Sequence, residues 1–244
     1  MRHRDRGIHE RRERHQQAGE AQQRAPKPGA HGRGSHRERF KTWAYCTIPA
    51  LVSEFLASEP FELARGYIII LETERLLFRD HTLEDLGPFC ALEADPAVRR
   101  FVGGRPRTRE EAEHRFRERF LRPAPDRLGL WATVFKPDSR YIGYCGVYPH
   151  FGEAGPIPGE GALGFTLVPT YWGRGLATEA ARAFVDFGFR ELHLRRIVAS
   201  VEVGNAASVR VIEKLGFTLW KLEKINRRSF YHFEIYNPQA ADPE

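Results

Sequence analysis

Cysteine is scarce in this 244-residue chain and badly placed for cross-linking. Cys46, Cys90 and Cys145 are odd in number, widely spaced, and include no C-x-x-C pair. They define neither a disulfide framework nor a zinc site, and they suit a reducing compartment, so a cytoplasmic location is expected. Histidine is more plentiful but unpatterned. Five of the ten fall within residues 1–41, and no H-E-x-x-H or H-x-E…P-C-x-x-C arrangement occurs, so no metal is expected. Missing too is any run of roughly eighteen apolar residues, so no membrane span is expected. Nor does an apolar stretch follow the basic N-terminal residues, as a secretory signal would require.

Residues 1–41 lack large apolar side chains except Met1, Ile8 and Phe40. Such a stretch buries too little surface to offset its ordering entropy and is expected to be disordered. It carries twelve Lys and Arg against five Asp and Glu, whereas the remaining residues carry 26 against 27. The formal charge of +6 therefore belongs to this arm. The arm reads either as a polyanion contact, for RNA or a ribosome, or as a plain solvated extension. A short apolar piece at residues 43–61 reads as a helix, so residues 1–66 form an extension ahead of the folded domain.

What is present begins near residue 67. Residues 67–79 (YIIILETERLLFR) read as one strand or two short ones. Thr82 with Asp85, and Thr108 with Glu111, are capping boxes that open two helices. Asp95-Pro96 marks the end of the first. Residues 130–135 and 141–148 form a hairpin about the turn 136–139. Residues 149–159, rich in Gly and Pro, read as a loop, and residues 160–168 as the next strand. A turn with Gly173 and Gly175 follows, then a helix on which Glu179, Arg182, Asp186 and Arg190 form one polar stripe. So narrow a stripe implies a helix buried against a sheet. Residues 195–203 read as a strand, Asn205 caps a helix that Gly216 stops, and residues 217–222 and 230–236 are final strands. The sum is α+β: a mixed, mostly antiparallel sheet of about seven strands flanked by about four helices. Strand, glycine turn and helix N-terminus is by itself a weak signal of a phosphate site.

Three segments in order make the signal specific: LETERLLFRD (71–80), LGFTLVPTYWGRGLATEAARAFVDFGF (163–189) and NAASVRVIEKLGF (205–217). Together they resemble the GNAT superfamily of acetyl-CoA-dependent N-acyltransferases, and within it the branch of ribosomal-protein N-terminal acetyltransferases. The resemblance spans residues 67–237 and leaves 238–244 as a short tail. It implies a sheet with a central splay and acetyl-CoA as cosubstrate. The pyrophosphate would lie on the amides of Gly173, Arg174, Gly175, Leu176 and Ala177, with charge added by Arg174. Trp172 stands where the broad family has Arg or Gln. The backbone of Leu167 and Val168, and the side chain of Asn205, would meet the pantetheine arm. A general base is expected at Glu160, with Glu202 second. The usual acidic Tyr is replaced by Val211-Ile212, and Ser208 is expected to hydrogen-bond the departing sulfur.

Three functions remain open on this reading. The first is transfer to a protein or peptide N-terminal α-amine. This is favoured because about a tenth of such amines are neutral at pH 7 without a strong base, against less than about a thousandth of lysines. The second is transfer to a small-molecule amine such as a polyamine, amino sugar or antibiotic. The third is a GNAT-like domain without turnover that binds RNA through its arm. Cys145, with no histidine nearby in sequence, is a poor nucleophile candidate. The aromatics Trp131, Tyr141, Tyr144, Tyr148, Phe230 and Tyr231 read as core and cleft wall.

Overall fold

A computed structural model describes residues 67–121, 124 and 126–240. The expectations for residues 1–66, disorder, short helix and polyanion contact alike, lie outside the described residues.

Eight strands form one sheet in the order β1-β2-β3-β4-β5-β6-β8-β7. They are β1 Ile69–Glu72, β2 Leu76–Arg79, β3 Trp131–Phe135, β4 Arg140–Gly152, β5 Gly155–Leu167, β6 Arg196–Glu202, β7 Thr218–Ile225 and β8 Arg228–Tyr236. Every neighbouring pair is antiparallel except β5 and β6. β5 and β6 run parallel and are joined by the helix Leu176–Arg190, as a parallel connection requires. The helices are α1 Leu86–Ala94, α2 Pro96–Arg99, α3 Arg109–Arg119, α4 Leu176–Arg190 and α5 Ala206–Lys214.

The expected counts of seven strands and four helices become eight and five among the described residues. The eighth strand appears because residues 67–79 divide at a turn. The fifth helix, α2, lies where Asp95-Pro96 was read purely as a stop. Asp95 does end α1, but its carboxylate also accepts from the amides of Ala97 and Val98, and proline occupies the first turn of a new helix. Proline suits that position because the N–H it lacks would have no partner there.

The expected loop at residues 149–159 is instead the far end of a long hairpin. β4 and β5 are thirteen residues each and stay paired out to Gly152 and Gly155. Prolines 156 and 158 fit because β5 meets β6 only from Glu160 onward, so their edge has no neighbouring strand.

Two apolar clusters sandwich the sheet. On one face α4 and α5 cover Cys145, Val147, Leu163 and Ile197 with Leu176, Phe184, Phe187 and Ile212. On the other, Phe89, Phe116 and Phe120 of the α1–α3 segment pack on Tyr144 of β4. The narrow polar stripe foreseen on α4 is observed: Arg182, Asp186 and Arg190 are exposed, and the alanines and phenylalanines between them are largely buried. The α1–α3 layer rests on a buried charge. Glu93 is fully buried, with Arg99 Nη1 at 3.1 Å, Arg107 Nε at 2.8 Å and the Tyr144 hydroxyl at 3.1 Å from its oxygens. Removing one partner from such a group costs far more than the net worth of the cluster, so it locks the layer's geometry.

Candidate active site

The site begins with a break in the sheet. β5 pairs with β6 only where Glu160, Gly161 and Ala162 face Arg196, Ile197 and Val198. Beyond that point β5 continues to Leu167 and β6 to Glu202 without pairing. Their facing edges open into a cleft, which is the expected central splay. A bulge in β4 lies beside it. Gly143, opposite Leu167, has φ of 138°, and a Cβ there would sit 2.0 Å from the Thr166 carbonyl oxygen. Only glycine lets the two backbones approach so closely where the cleft opens.

At the cleft's end the chain turns through Pro169–Tyr171 into the glycine turn. Gly173 and Gly175 have φ of 71° and 79°. No atom would meet a Cβ on Gly173 within 4 Å, so the turn faces open space. The first backbone hydrogen bond of α4 runs from Glu179 to Gly175 at 3.0 Å. The amides of Leu176, Ala177 and Thr178 thus precede the helical ladder, at the positive end of a fifteen-residue helix. An open cradle of amides continued by an unpaired strand edge fits a molecule with a phosphate group at one end and an extended amide arm, as acetyl-CoA has.

Sequence reading missed what holds this turn. Arg75, in the β1–β2 connection, reaches Glu179 with its amide at 3.0 Å and its guanidinium at 2.7 and 2.6 Å. Its Nη1 also donates to the Arg174 carbonyl at 3.1 Å, and the Thr73 hydroxyl donates to Glu179 at 2.6 Å. Burial pushes the Glu179 carboxyl up, but these hydrogen bonds outweigh it and hold the group below the usual range. The sequence signal for it is Glu179 itself, an acidic residue in the first turn of α4 that also belongs to the polar stripe.

Of the residues expected to hold the cosubstrate, Leu167 to Ala177 follow one another along this path, whereas Asn205 and Ser208 stand at the start of α5, beyond the end of β6. Val168 donates its amide to the Ile142 carbonyl at 2.8 Å, and its own carbonyl accepts from Tyr171 at 3.0 Å. The Leu167 carbonyl accepts from the indole of Trp172 at 2.6 Å. Trp172 therefore braces the turn through its side chain although its ring is half exposed. Arg174 lays its guanidinium over the rings of Phe135, at 4.7 Å, and Tyr171. Asn205 caps α5, its side-chain oxygen accepting from the Ser208 amide at 3.2 Å, and Ser208 is half-buried in the first turn.

The other face of the cleft carries the polar side chains. Glu160 stands at its closed end, where both carboxylate oxygens accept from Arg196 Nη1, at 3.2 and 3.3 Å, and one lies 2.8 Å from His150 Nδ1. Glu202, the second candidate base, is held by Arg228, whose other contact is the Arg100 carbonyl at 3.2 Å. That pair pins the α2–α3 connection against β6 and β8. One turn further on, a Cβ on Gly204 would touch Phe101. Beyond the last β5–β6 pair, exposed Ser200 of β6 meets His232 of β8, Oγ to Nδ1 at 2.9 Å. Neither residue was singled out from sequence, because the pairing spans 32 positions and follows only from the β6–β8 register. Cys145 is fully buried, and burial pushes its thiol far above the ordinary range, so no nucleophile arises there. Among the described residues no cluster of metal-ligating side chains occurs, and no helix is long and apolar enough to cross a membrane.

Comparison with known proteins agrees with this geometry. Residues 75–218 match the model of the acetyltransferase (GNAT) domain. The N-acetyltransferase p20 of Bacillus licheniformis, itself uncharacterised, is 30% identical over 149 residues, which cover 60% of this chain and 81% of that protein. The ribosomal-protein-S5-alanine acetyltransferase of Vibrio fischeri superposes with a TM-score of 0.55 at 18% identity, over 69% of this chain and 97% of that one. The spermidine N-acetyltransferase of Vibrio cholerae, solved with CoA and spermine, gives 0.56 at 17%, over 68% and 97%. At such identities the two structures establish the shared fold alone.

Proposed function

The chain belongs to the GNAT acetyltransferase family, and from that premise we propose that it transfers the acetyl group of acetyl-CoA directly to a primary amine, with a peptide or protein N-terminal α-amine as the preferred acceptor. The observation that carries the reading is the cleft between β5 and β6 ending on the amide cradle at Gly173 and Gly175. The amides of Gly173, Arg174, Gly175, Leu176 and Ala177 would hold the pyrophosphate, and the cleft edge at Leu167 and Val168 the pantetheine arm, with Asn205 on the opposite side. Acetyl-CoA supplies an activated acyl carbon. The protein contributes alignment of two substrates from opposite faces of one gap, which is worth many orders of magnitude in effective concentration.

Glu160 turns a carboxylate toward the acceptor side of the gap and favours entry of a cationic amine. Its bonds to Arg196 and His150 fix it as part of the wall. Ser208 lies on the thiol side as a hydrogen-bond donor for the departing sulfur. The acceptor side is walled by the α2–α3 connection at Phe101, while Ser200, Trp220 and Tyr236 leave the surface of β6, β7 and β8 exposed. A side left exposed along three strands suits the end of a chain better than a molecule that must be enclosed. The closed chemistry of the three cysteines fits a reducing, cytoplasmic setting.

The test is incubation of the purified protein with acetyl-CoA and a panel of peptides, polyamines, amino sugars and aminoglycosides, followed by release of CoA and mass of the products. The proposal expects acetylation of peptide α-amines above all others. Preference for a polyamine or sugar would move the acceptor to the small-molecule class. Absence of both CoA binding and turnover with any amine would refute it.

A further inference from the structure

Ser200 and His232 are cross-strand partners of β6 and β8, joined by a side-chain hydrogen bond. Ser200 is exposed, on the strand whose buried Ile197, Ala199 and Val201 face α4 and α5, and it shares the opposite face with buried Val198. It is the first residue of β6 past the last β5–β6 pair that points to the opposite, acceptor face. It therefore sits on the lip of the cleft. Behind it His232 is half-buried and flanked by the ring of Trp220 at 6.1 Å. The Nε2 of His232 lies 3.3 Å from Glu223 Oε2 of β7. With Nδ1 unprotonated the ring accepts from the Ser200 hydroxyl, and Nε2–H then lies on the carboxylate side without a well-formed hydrogen bond to it.

We propose that Ser200 and His232 are the proton acceptor for the amine substrate, with Glu223 as the residue that positions the imidazole. This rests on the acetyltransferase reading above and deepens it. The acceptor's ammonium gives a proton to Ser200 Oγ as Ser200 gives its own to His232 Nδ1. The neutral amine nitrogen then forms its bond to the acetyl carbon, and the carbon–sulfur bond breaks. The second amine proton ends on sulfur as the thiol, and the imidazolium returns its proton to solvent. Protons and charge balance without any further reactant.

Glu160 serves this step less well, because its oxygens already accept from Arg196 and His150. A neutral imidazole with a bonded hydroxyl in front of it has a lone pair to offer. His232 is surrounded by charges of both signs. Glu223 and Lys221 face it from β7, Glu202 neighbours Ser200 on the same face of β6 with Arg196 four residues back, Glu234 lies two residues along β8, and His150 approaches from β4. Burial first, then Lys221 and His150, outweigh Glu223 and place the imidazole below its usual range, so it is unprotonated at neutral pH.

The test uses the full chain, acetyl-CoA and the panel amine that it acetylates fastest. Ser200→Ala and His232→Gln should each lower kcat on the order of 100-fold, a usual size for a lost general base, with KM for acetyl-CoA unchanged. The double variant should be no worse than the worse single one. The acid limb of kcat/KM in the unaltered protein should coincide with the His232 titration followed by NMR. Without any acetyl-CoA, saturating amine should perturb that imidazole resonance, and Ser200→Ala should abolish the perturbation. Full kcat in both variants, beside an active parent protein, would overturn this assignment and leave the acetyltransferase reading standing. Absence of both CoA binding and turnover in the parent protein would overturn both.

Discussion

His81 shows how a single side chain can tie stability to pH in this molecule. It is 7% exposed, ringed edge-on by Phe116 and Phe120, and neither ring nitrogen makes a well-formed hydrogen bond. Burial, helped by Arg79 and opposed by Asp85, lowers its pKa to about 4. The unfolded chain takes up the proton near the ordinary value of about 6.5, so protonation favours unfolding between those two pH values. The contribution is complete above about pH 6.5 and fades as pH falls toward 4, by about 3 kcal/mol in all. Chemical unfolding at pH 7 and pH 4.5 should show this loss, and His81→Phe should remove most of the difference. A variant with the same pH slope would refute the assignment. Gly143 is the second residue on which much depends. Gly143→Ala must push the Thr166 carbonyl away and adopt a left-handed φ, at a cost on the order of 3 kcal/mol. The urea midpoint reads that cost directly.

At the scale of elements, the cosubstrate cradle is made by three pieces distant in sequence: the β1–β2 turn, the end of β5 and the start of α4. Glu179→Gln keeps the shape but weakens the tie to Arg75 and Thr73. A net loss of about 1–2 kcal/mol is expected for such a charged, partly buried hydrogen-bond set. Acetyl-CoA affinity, measured calorimetrically, should fall roughly tenfold while α4 persists by circular dichroism. Unchanged affinity would separate the clamp from the cradle. These elements also show what was legible in the sequence. Capping residues spoke plainly, since Thr108 and Asn205 open helices through their side-chain oxygens and Asp85 accepts from the Thr82 amide at the start of a helical turn. The glycine turn and α4 were likewise readable from local pattern. The long β4–β5 hairpin was not, because prolines at 156 and 158 look like loop residues until one knows that their edge is unpaired. Pairings across the sheet were equally hidden. Arg75 with Glu179 spans 104 residues, and Ser200 with His232 depends on strand register, which one chain's composition does not reveal.

At the scale of the whole molecule, charge separates two regions. Residues 1–41 hold the excess of Lys and Arg, and the rest is close to neutral. Deleting residues 1–41 should leave acetylation of the best acceptor within about twofold, and if the arm is a polyanion contact the deletion should also remove any salt-sensitive RNA binding by the full chain. Loss of acetylation on deletion would instead make the arm part of acceptor recognition. The catalytic account depends on none of this. It depends on the gap between β5 and β6, one face offering amides to a phosphate and the other presenting Glu160, Ser200 and His232 to an amine. The most direct measurement is product mass and CoA release when the purified protein meets acetyl-CoA and the amine panel, with calorimetry of acetyl-CoA alone beside it. The account predicts saturable acetyl-CoA binding and a gain of about 42 Da on a primary amine, the mass of one acetyl group in place of a hydrogen. No binding and no acetylated product would contradict it.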